Sequence, residues 1–301
     1  MNAYSVLAAY YESLTADGDY ERWANYVCAR VGRYAPVLRG ADFACGTGYF
    51  TRALSRAGCD VVGADLSYEM LSEAMARSEG TGIVYLHQDM LRPRGFADLG
   101  FVTVINDGVN YIPPKKLVGL FENIRNCLMI GGMIMFDISS PFKLRNVLGN
   151  NLFGEDNEDV SYLWFNRLKR DRVEMDLTFF LARGAVYERR DERHVQYIHE
   201  PEAVSEALAA AGFEAFLAFM ERGAEKRSGA YFRHYLMFSV LPVNVIALTV
   251  AAICGVAEYK IWMSGALIYV YNPLYPIGIA VGTIGITLGF IAVSRLTLRK
   301  A

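Results

Sequence analysis

Residues 41–50 read Ala-Asp-Phe-Ala-Cys-Gly-Thr-Gly-Tyr-Phe, "ADFACGTGYF". An apolar run ends in two glycines spaced two apart. Glycines at 46 and 48 let a backbone turn sharply and approach a ligand with no Cβ in the way. A dinucleotide fingerprint starting at Gly46 needs a third glycine at position 51, where it lets a helix pack close to the sheet. This chain has Thr51 there, and Ala44 where some such loops place their first glycine. A lone pair of glycines is also compatible with a plain strand-to-helix turn, so the loop has to be read with its surroundings.

Those surroundings alternate. "VLRGADFA" reads as a strand, 51–58 as a helix, "CDVVGAD" as a strand and "SYEMLSEAMARS" as a helix. "GIVYLHQD" and "FVTVIND" then read as strands, 113–128 as a helix and "GGMIMFDI" as a strand. Strands alternating with helices of roughly 10–15 residues predict a parallel sheet covered on both faces. Ahead of the loop, residues 3–35 carry Leu7, Tyr10, Tyr11, Leu14, Trp23, Tyr26 and Val27 at helical spacing, and "TADGD" at 15–19 divides them into two helices. Behind the sheet, residues 158–199 turn aromatic and β-branched. They predict an antiparallel ribbon of three strands with turns at "KRD" and "RG". A helix at 201–211 follows, opened by Pro201 and closed by Gly212. "FEAFLAFM" is a further strand.

Carboxylates mark the strand ends. Asp42 closes the first strand. Asp65 closes the second, where a carboxylate can accept from both hydroxyls of a ribose. Asp89 closes the third, placed to accept from an exocyclic amine, with Met90 able to pack on a purine. "INDGVNY" closes the fourth. All four lie where open α/β sheets bind ligands.

Taken together, "DFACGTG", "GADLSYEML", "HQDM" and "VINDGVNYI" resemble the class I S-adenosylmethionine-dependent methyltransferases, and more narrowly the small bacterial enzymes of that class that act on small molecules. "GGMIMFDI" resembles their fifth strand and "AAGF" the turn before their last strands. The resemblance covers about residues 1–222. It implies a Rossmann-like α/β sheet of seven strands with S-adenosylmethionine as cofactor. It implies that Ala44, Gly46 and Gly48, with Asp42 before them, border the methionine and ribose part, and that Asp65 holds the ribose with Leu66 beside the adenine. Asp89 and Met90 would meet the adenine edge, and Asn106 the methionine moiety. Tyr11, Tyr20 and Trp23 resemble the lid over the cofactor, although such residues also serve as ordinary packing of amphipathic helices. Ala44 suits this reading if its φ stays negative.

The cofactor brings the activated methyl group, so the protein's task is to position an acceptor and exclude water. Asp107, Asn110, Tyr111, Glu192 and His194 are the candidates near the mouth. Asn110 and Tyr111 follow a strand tip and are expected to line an acceptor pocket. His194, on the ribbon, suits a general base near neutral pH, or is simply an exposed ribbon histidine. The charge run "ERRDER" at 188–193 reads as a solvated strand face.

Net charge is −2, with −5 on residues 1–235 and +3 on 236–301. An acidic body gives no electrostatic footprint for nucleic acid. Five scattered cysteines without a CxxC pair, and four histidines without metal spacing, argue against a disulfide framework or a metal centre. The N-terminus lacks the basic region of a secretory signal.

From 236 to 294 the only charges are Glu258 and Lys260. Two apolar stretches, about 237–257 and 275–294, approach the roughly 20 residues that span a bilayer. Arg222, Lys226, Arg227 and Arg233 precede them, and Arg295, Arg299 and Lys300 follow. The expectation is a domain at 1–235 with lid helices in 1–35, and an α-helical transmembrane hairpin at 236–301 whose two ends are cytoplasmic. "RHYLMFSVLP" at 233–242 competes for the same residues as the seventh strand. The function expected is methyl transfer to a small-molecule acceptor, with possible tethering to the membrane. A soluble enzyme with a packed or oligomerising tail, and a non-catalytic membrane sensor that binds the cofactor, are the alternatives.

Overall fold

The computed structural model describes Tyr4, residues 7–14 and 20–213, and three strands beyond them at 215–220, 235–241 and 267–271. Two short helices lead, α1 (Leu7–Leu14) and α2 (Tyr20–Tyr34). The alternating core follows: β1 (Arg39–Phe43), α3 (Tyr49–Arg56), β2 (Asp60–Asp65), α4 (Tyr68–Arg77), β3 (Val84–His87), β4 (Leu99–Val104), α5 (Leu117–Cys127) and β5 (Leu128–Ser139). β1 to β5 pair in parallel in the order β5-β4-β1-β2-β3. All six residues of β4 are buried, because a central parallel strand is covered on both faces.

One face of the sheet packs Val27 and Val31 of α2 against Phe50 and Leu54 of α3. The other packs Leu120, Phe121 and Ile124 of α5 with Val204 and Leu208 of α6 (Pro201–Ala210). α4 opens on an N-cap, with the Ser67 hydroxyl accepting from Met70 N–H.

Between β5 and α6 lies a separate antiparallel sheet. It has four strands rather than three: β6 (Leu152–Asp156), β7 (Val160–Leu168), β8 (Arg172–Arg183) and β9 (Val186–Tyr197). β6 escaped the sequence reading because "LFGED" is short and offers no alternation to read. A π-helical turn at Lys143–Leu148 joins β5 to this ribbon. The ribbon's inner face packs Val173, Met175 and Phe179 on Leu144 and Leu148, with Leu7, Tyr10 and Leu14 of α1 against the same cluster.

The main sheet runs on past the expected seven strands. β10 (Ala215–Met220) pairs antiparallel with β11 (Tyr235–Leu241), and β11 antiparallel with β5, so the candidate at 233–242 does supply the strand beside β5. β12 (Leu267–Tyr271) adds an eighth strand on the outer side of β10. Two expectations change as a result. A domain ending at 235 would lose β11 and β12, and residues 237–241 are strand rather than the start of an apolar helix. "LIYVY" is five β-branched, aliphatic or aromatic residues in a row, which suits a sheet strand as well as an interfacial segment. Among the described residues no helix is long and apolar enough to cross a membrane. The remainder of the expected hairpin, 242–266 and 272–301, lies outside the described residues.

Candidate active site

The loop after β1 is built from left-handed residues. Gly46 has φ 54° and Gly48 φ 76°, and Ala44 has φ 53°, against the expectation of a negative value. A left-handed alanine costs roughly 1–2 kcal/mol. The turn is held there from both sides: Cys45 N–H donates to Ala64 C=O at 3.2 Å and Gly48 N–H to Cys45 C=O at 2.9 Å. Gly46 N–H donates to Asp65 Oδ2 at 2.8 Å, and Ser67 N–H donates to Asp65 Oδ1 at 2.8 Å. One carboxylate therefore joins the loops after β1 and β2. Burial pushes its pKa up, and the N–H donors from Ser67 and Gly46 oppose that.

Thr51 answers the question of the missing glycine. It is fully buried, and its hydroxyl donates to Asp42 Oδ2 at 2.6 Å, while Thr103 donates to Asp42 Oδ1 at 2.7 Å. Asp42 thus ties α3 and β4 to β1 and is not among the residues that line the cavity. Burial raises its pKa to about 6, and the two threonine hydroxyls act against the rise. Gly48 is likewise a packing residue: a Cβ there would run into the Tyr85 ring.

The loop after β3 is set by Asp89 Oδ1, which accepts from Leu91 N–H at 2.9 Å. After β4, Asn106 (φ 74°) and Asp107 (φ 56°) are both left-handed. The Asp137 carboxylate holds that strain, accepting Asn106 N–H at 2.6 Å and Asp107 N–H at 3.0 Å. Asp137 is buried, and desolvation with the nearby Asp107 raises its pKa to about 8.

The N-terminal helices close over these loops. Asn106 Nδ2 donates to the Tyr11 hydroxyl and, at 2.9 Å, to the Tyr20 hydroxyl. Glu12 accepts from Thr47 Oγ1 at 2.7 Å, from Arg52 at 2.9 Å and from Arg77 at 3.2 Å. The result is a cavity of about 650 Å³, within the size range of small-molecule sites. Of the residues singled out from the sequence, Ala44, Gly46, Asp65, Leu66, Asp89, Met90, Asn106, Tyr11 and Tyr111 line it. The lid residue Tyr20 lines it as well, and Tyr4, Thr47, Ile112 and Lys116 join them.

Five expected residues stand elsewhere. Asp42 and Gly48 lie behind the loop. Trp23 packs on Phe50 at 6.4 Å between ring centroids. Asn110 is fully buried: its Oδ1 accepts from Ser139 N–H at 2.7 Å and its Nδ2 donates to Tyr197 C=O at 2.9 Å. The 3₁₀ turn Gly108–Tyr111 points it inward, away from the cavity. His194 is 4% exposed and stands behind the cavity wall, its Nδ1 3.1 Å from the Tyr111 hydroxyl and its ring 4.7 Å from that of Tyr4.

The methyltransferase-domain family profile matches residues 41–132, which hold this whole set of strand-end loops. YqeM of Bacillus subtilis (strain 168), which carries the name of a methyltransferase, is 32% identical over 216 residues, covering 70% of this chain and 86% of its own. The chain belongs to the class I S-adenosylmethionine-dependent methyltransferases. A methyltransferase-named protein of Geobacillus sp. (strain WCH70) is also 32% identical, over 70% of this chain and 88% of its own. The crystal structure of an S-adenosylmethionine-dependent methyltransferase from Clostridium acetobutylicum ATCC 824 superposes with TM-score 0.69 at 30% identity, covering 81% of this chain and all of that one.

S-adenosylmethionine is accordingly the cofactor of this methyltransferase, and its cavity suits that molecule. Asp65 places a carboxylate in the cavity wall, its chemistry fitting a diol that needs acceptors. Leu66, 64% exposed at the rim, offers an apolar surface to a base. Gly46 leaves open space where a side chain would intrude, its nearest neighbour being Met70 Sδ at 3.9 Å from a built Cβ.

Proposed function

We propose that this methyltransferase acts on a small-molecule acceptor held at the tyrosine-lined end of the cavity. The supporting observation is that one cavity is lined by Asp65 and Asp89 together with Tyr4 and Tyr111. Asp65 holds the ribose there, Leu66, Asp89 and Met90 the adenine, and Ala44, Gly46, Asn106 and Tyr11 the methionine part. CalS10 of Micromonospora echinaspora, an amino pentose methyltransferase, and KedS8 of a Streptoalloteichus species, a sugar N-methyltransferase, share the fold at 19% identity with TM-scores of 0.62 and 0.63. An amine or hydroxyl on a small polar molecule is consistent with them.

S-adenosylmethionine supplies a methyl group already activated on sulfonium sulfur. What is left to the chain is to orient the acceptor, exclude water and take up a proton. Tyr111 faces the acceptor with its hydroxyl, and His194 behind it receives the proton. Asn110 acts at one remove, fixing the turn that presents Tyr111.

The test is binding of S-adenosylhomocysteine to the full chain by calorimetry. Asp65→Ala is expected to weaken it tenfold or more, the scale of one charge-assisted hydrogen bond. Undiminished affinity would sink the ribose assignment. Membrane contact is a separate reading. It is supported by the 20 uncharged residues 275–294 and the basic Arg295, Arg299 and Lys300 after them. Release of the full chain by a carbonate wash would remove it.

A further inference from the structure

The ribbon carries a buried carboxylate that the reading above leaves without a task. Glu192 and His194 sit two apart on β9, so their side chains share a face. That face is the inner one, since the side chains are 0% and 3% exposed. Glu192 Oε2 lies 3.2 Å from His194 Nε2 and also accepts from Tyr4 N–H at 3.1 Å. Its Oε1 accepts from Leu7 N–H at 2.9 Å. Leu7 is the first residue of α1, so Glu192 caps the N-terminus of the helix that carries Tyr11 and Glu12.

A carboxylate that already receives two backbone donors can only accept, so His194 must present Nε2–H to it. Nδ1 is then a bare acceptor, and the Tyr111 O–H 3.1 Å away donates to it. The Tyr111 oxygen in turn meets the Tyr4 hydroxyl at 2.7 Å. Tyr4 also sets its ring edge-on against the imidazole, 4.7 Å between centroids. It holds a left-handed backbone at φ 67°, which the Glu192 bond restrains. Among the described residues Asp107, beside Lys143, also interacts electrostatically with the imidazole.

We propose that Glu192 is a positioning residue with two coupled tasks: it fixes the tautomer of His194 and it docks the N-terminal lid. The inference rests on the acid–base reading of His194 given above. When the acceptor gains a methyl group, it sheds one proton. Tyr111 takes that proton and passes its own to Nδ1, and the resulting imidazolium is paired with the Glu192 carboxylate. Because the same carboxylate holds Tyr4 and Leu7, the relay is complete only with the lid in place.

The experiment is ¹⁵N NMR of the histidines and amide hydrogen exchange on the full chain, with S-adenosylhomocysteine as the binding probe. Wild type is expected to show His194 as the Nε2–H tautomer, with the Tyr4 and Leu7 amides protected. In Glu192→Ala the tautomer preference should be lost, and those two amides should exchange at least tenfold faster. His194→Ala, which keeps the carboxylate, should leave the amides protected. If Glu192→Ala fails to fold, judged by lost protection in β4 and β5, Glu192→Gln replaces it. Its amide has a single acceptor oxygen and must drop at least one of the three bonds. An Nδ1–H tautomer in wild type, or unchanged protection in the Glu192 variants, would overturn the proposal. Wild type that fails to bind S-adenosylhomocysteine would count against the cofactor assignments instead, leaving the tautomer result to stand on its own.

Discussion

Asp42 sits at a sequence position that suggests ligand contact yet does structural work, whereas Ala44 lines the cavity on a left-handed backbone. Ala44 is left-handed, so replacing it with glycine removes backbone strain while loosening the unfolded chain by roughly 0.4–1 kcal/mol. Ala44→Gly is therefore expected to raise stability by up to about 1 kcal/mol, read from urea midpoints; a loss would show that the methyl group's packing outweighs the strain. Asp42 is raised to about 6. A carboxylate whose folded pKa exceeds its unfolded one contributes most below the unfolded value, and that contribution is lost as pH rises through the folded value. Asp42→Asn cannot ionise, so its stability relative to wild type should improve between pH 4 and pH 7, by on the order of 2 kcal/mol. A flat difference across that range in urea denaturation would show that Asp42 ionises without penalty in the folded protein.

At the scale of elements, α1 is eight residues long and too short to be stable alone. Its place comes from tertiary partners: Glu12 on Thr47, Arg52 and Arg77, Glu192 at its first turn, and Tyr11 on Asn106. Arg52 is on α3 and Arg77 on α4, so Glu12 ties the lid to both helices that flank the cavity. The Glu12 carboxylate is about a quarter exposed, which limits each pair's worth. Glu12→Ala is expected to weaken S-adenosylhomocysteine binding a few-fold and to speed amide exchange across 7–14, with the exchange of β4 unchanged. Equal exchange in both proteins would mean that α1 stays docked without Glu12. The existence of α1 was legible in the spacing of its apolar residues. Its docking was not, because a glutamate on a helix is most simply a solvated one.

The whole molecule depends on strands that come late in the chain. β11 covers the edge of β5, and β10 and β12 extend the sheet from there. A chain cut after residue 213 leaves β5, buried over most of its length, with an open edge. It is expected to aggregate, while a chain ending at 241 keeps β10 and β11 and remains monodisperse by size-exclusion chromatography. A monodisperse 1–213 fragment would show that β5 tolerates an open edge.

The order of strands and helices, the carboxylates at the ends of β2 and β3 and the glycine turn were all legible in the sequence. They follow from local causes: hydrophobic period, strand-end position and glycine's conformational freedom. The sequence did not reveal which of Asp42 and Asp65 faces the cavity, although both end strands. Asp42 has two buried threonine hydroxyls on neighbouring elements to satisfy it, and Asp65 has two backbone N–H groups at the rim. Nor could it place His194 behind Tyr111, or Tyr4 in the cavity wall, since those contacts join residues 83 and 107 positions apart. Spacing along a chain fixes which residues share a face. Which faces meet is decided by packing, and here packing set the lid, the ribbon and the tyrosine end of the site.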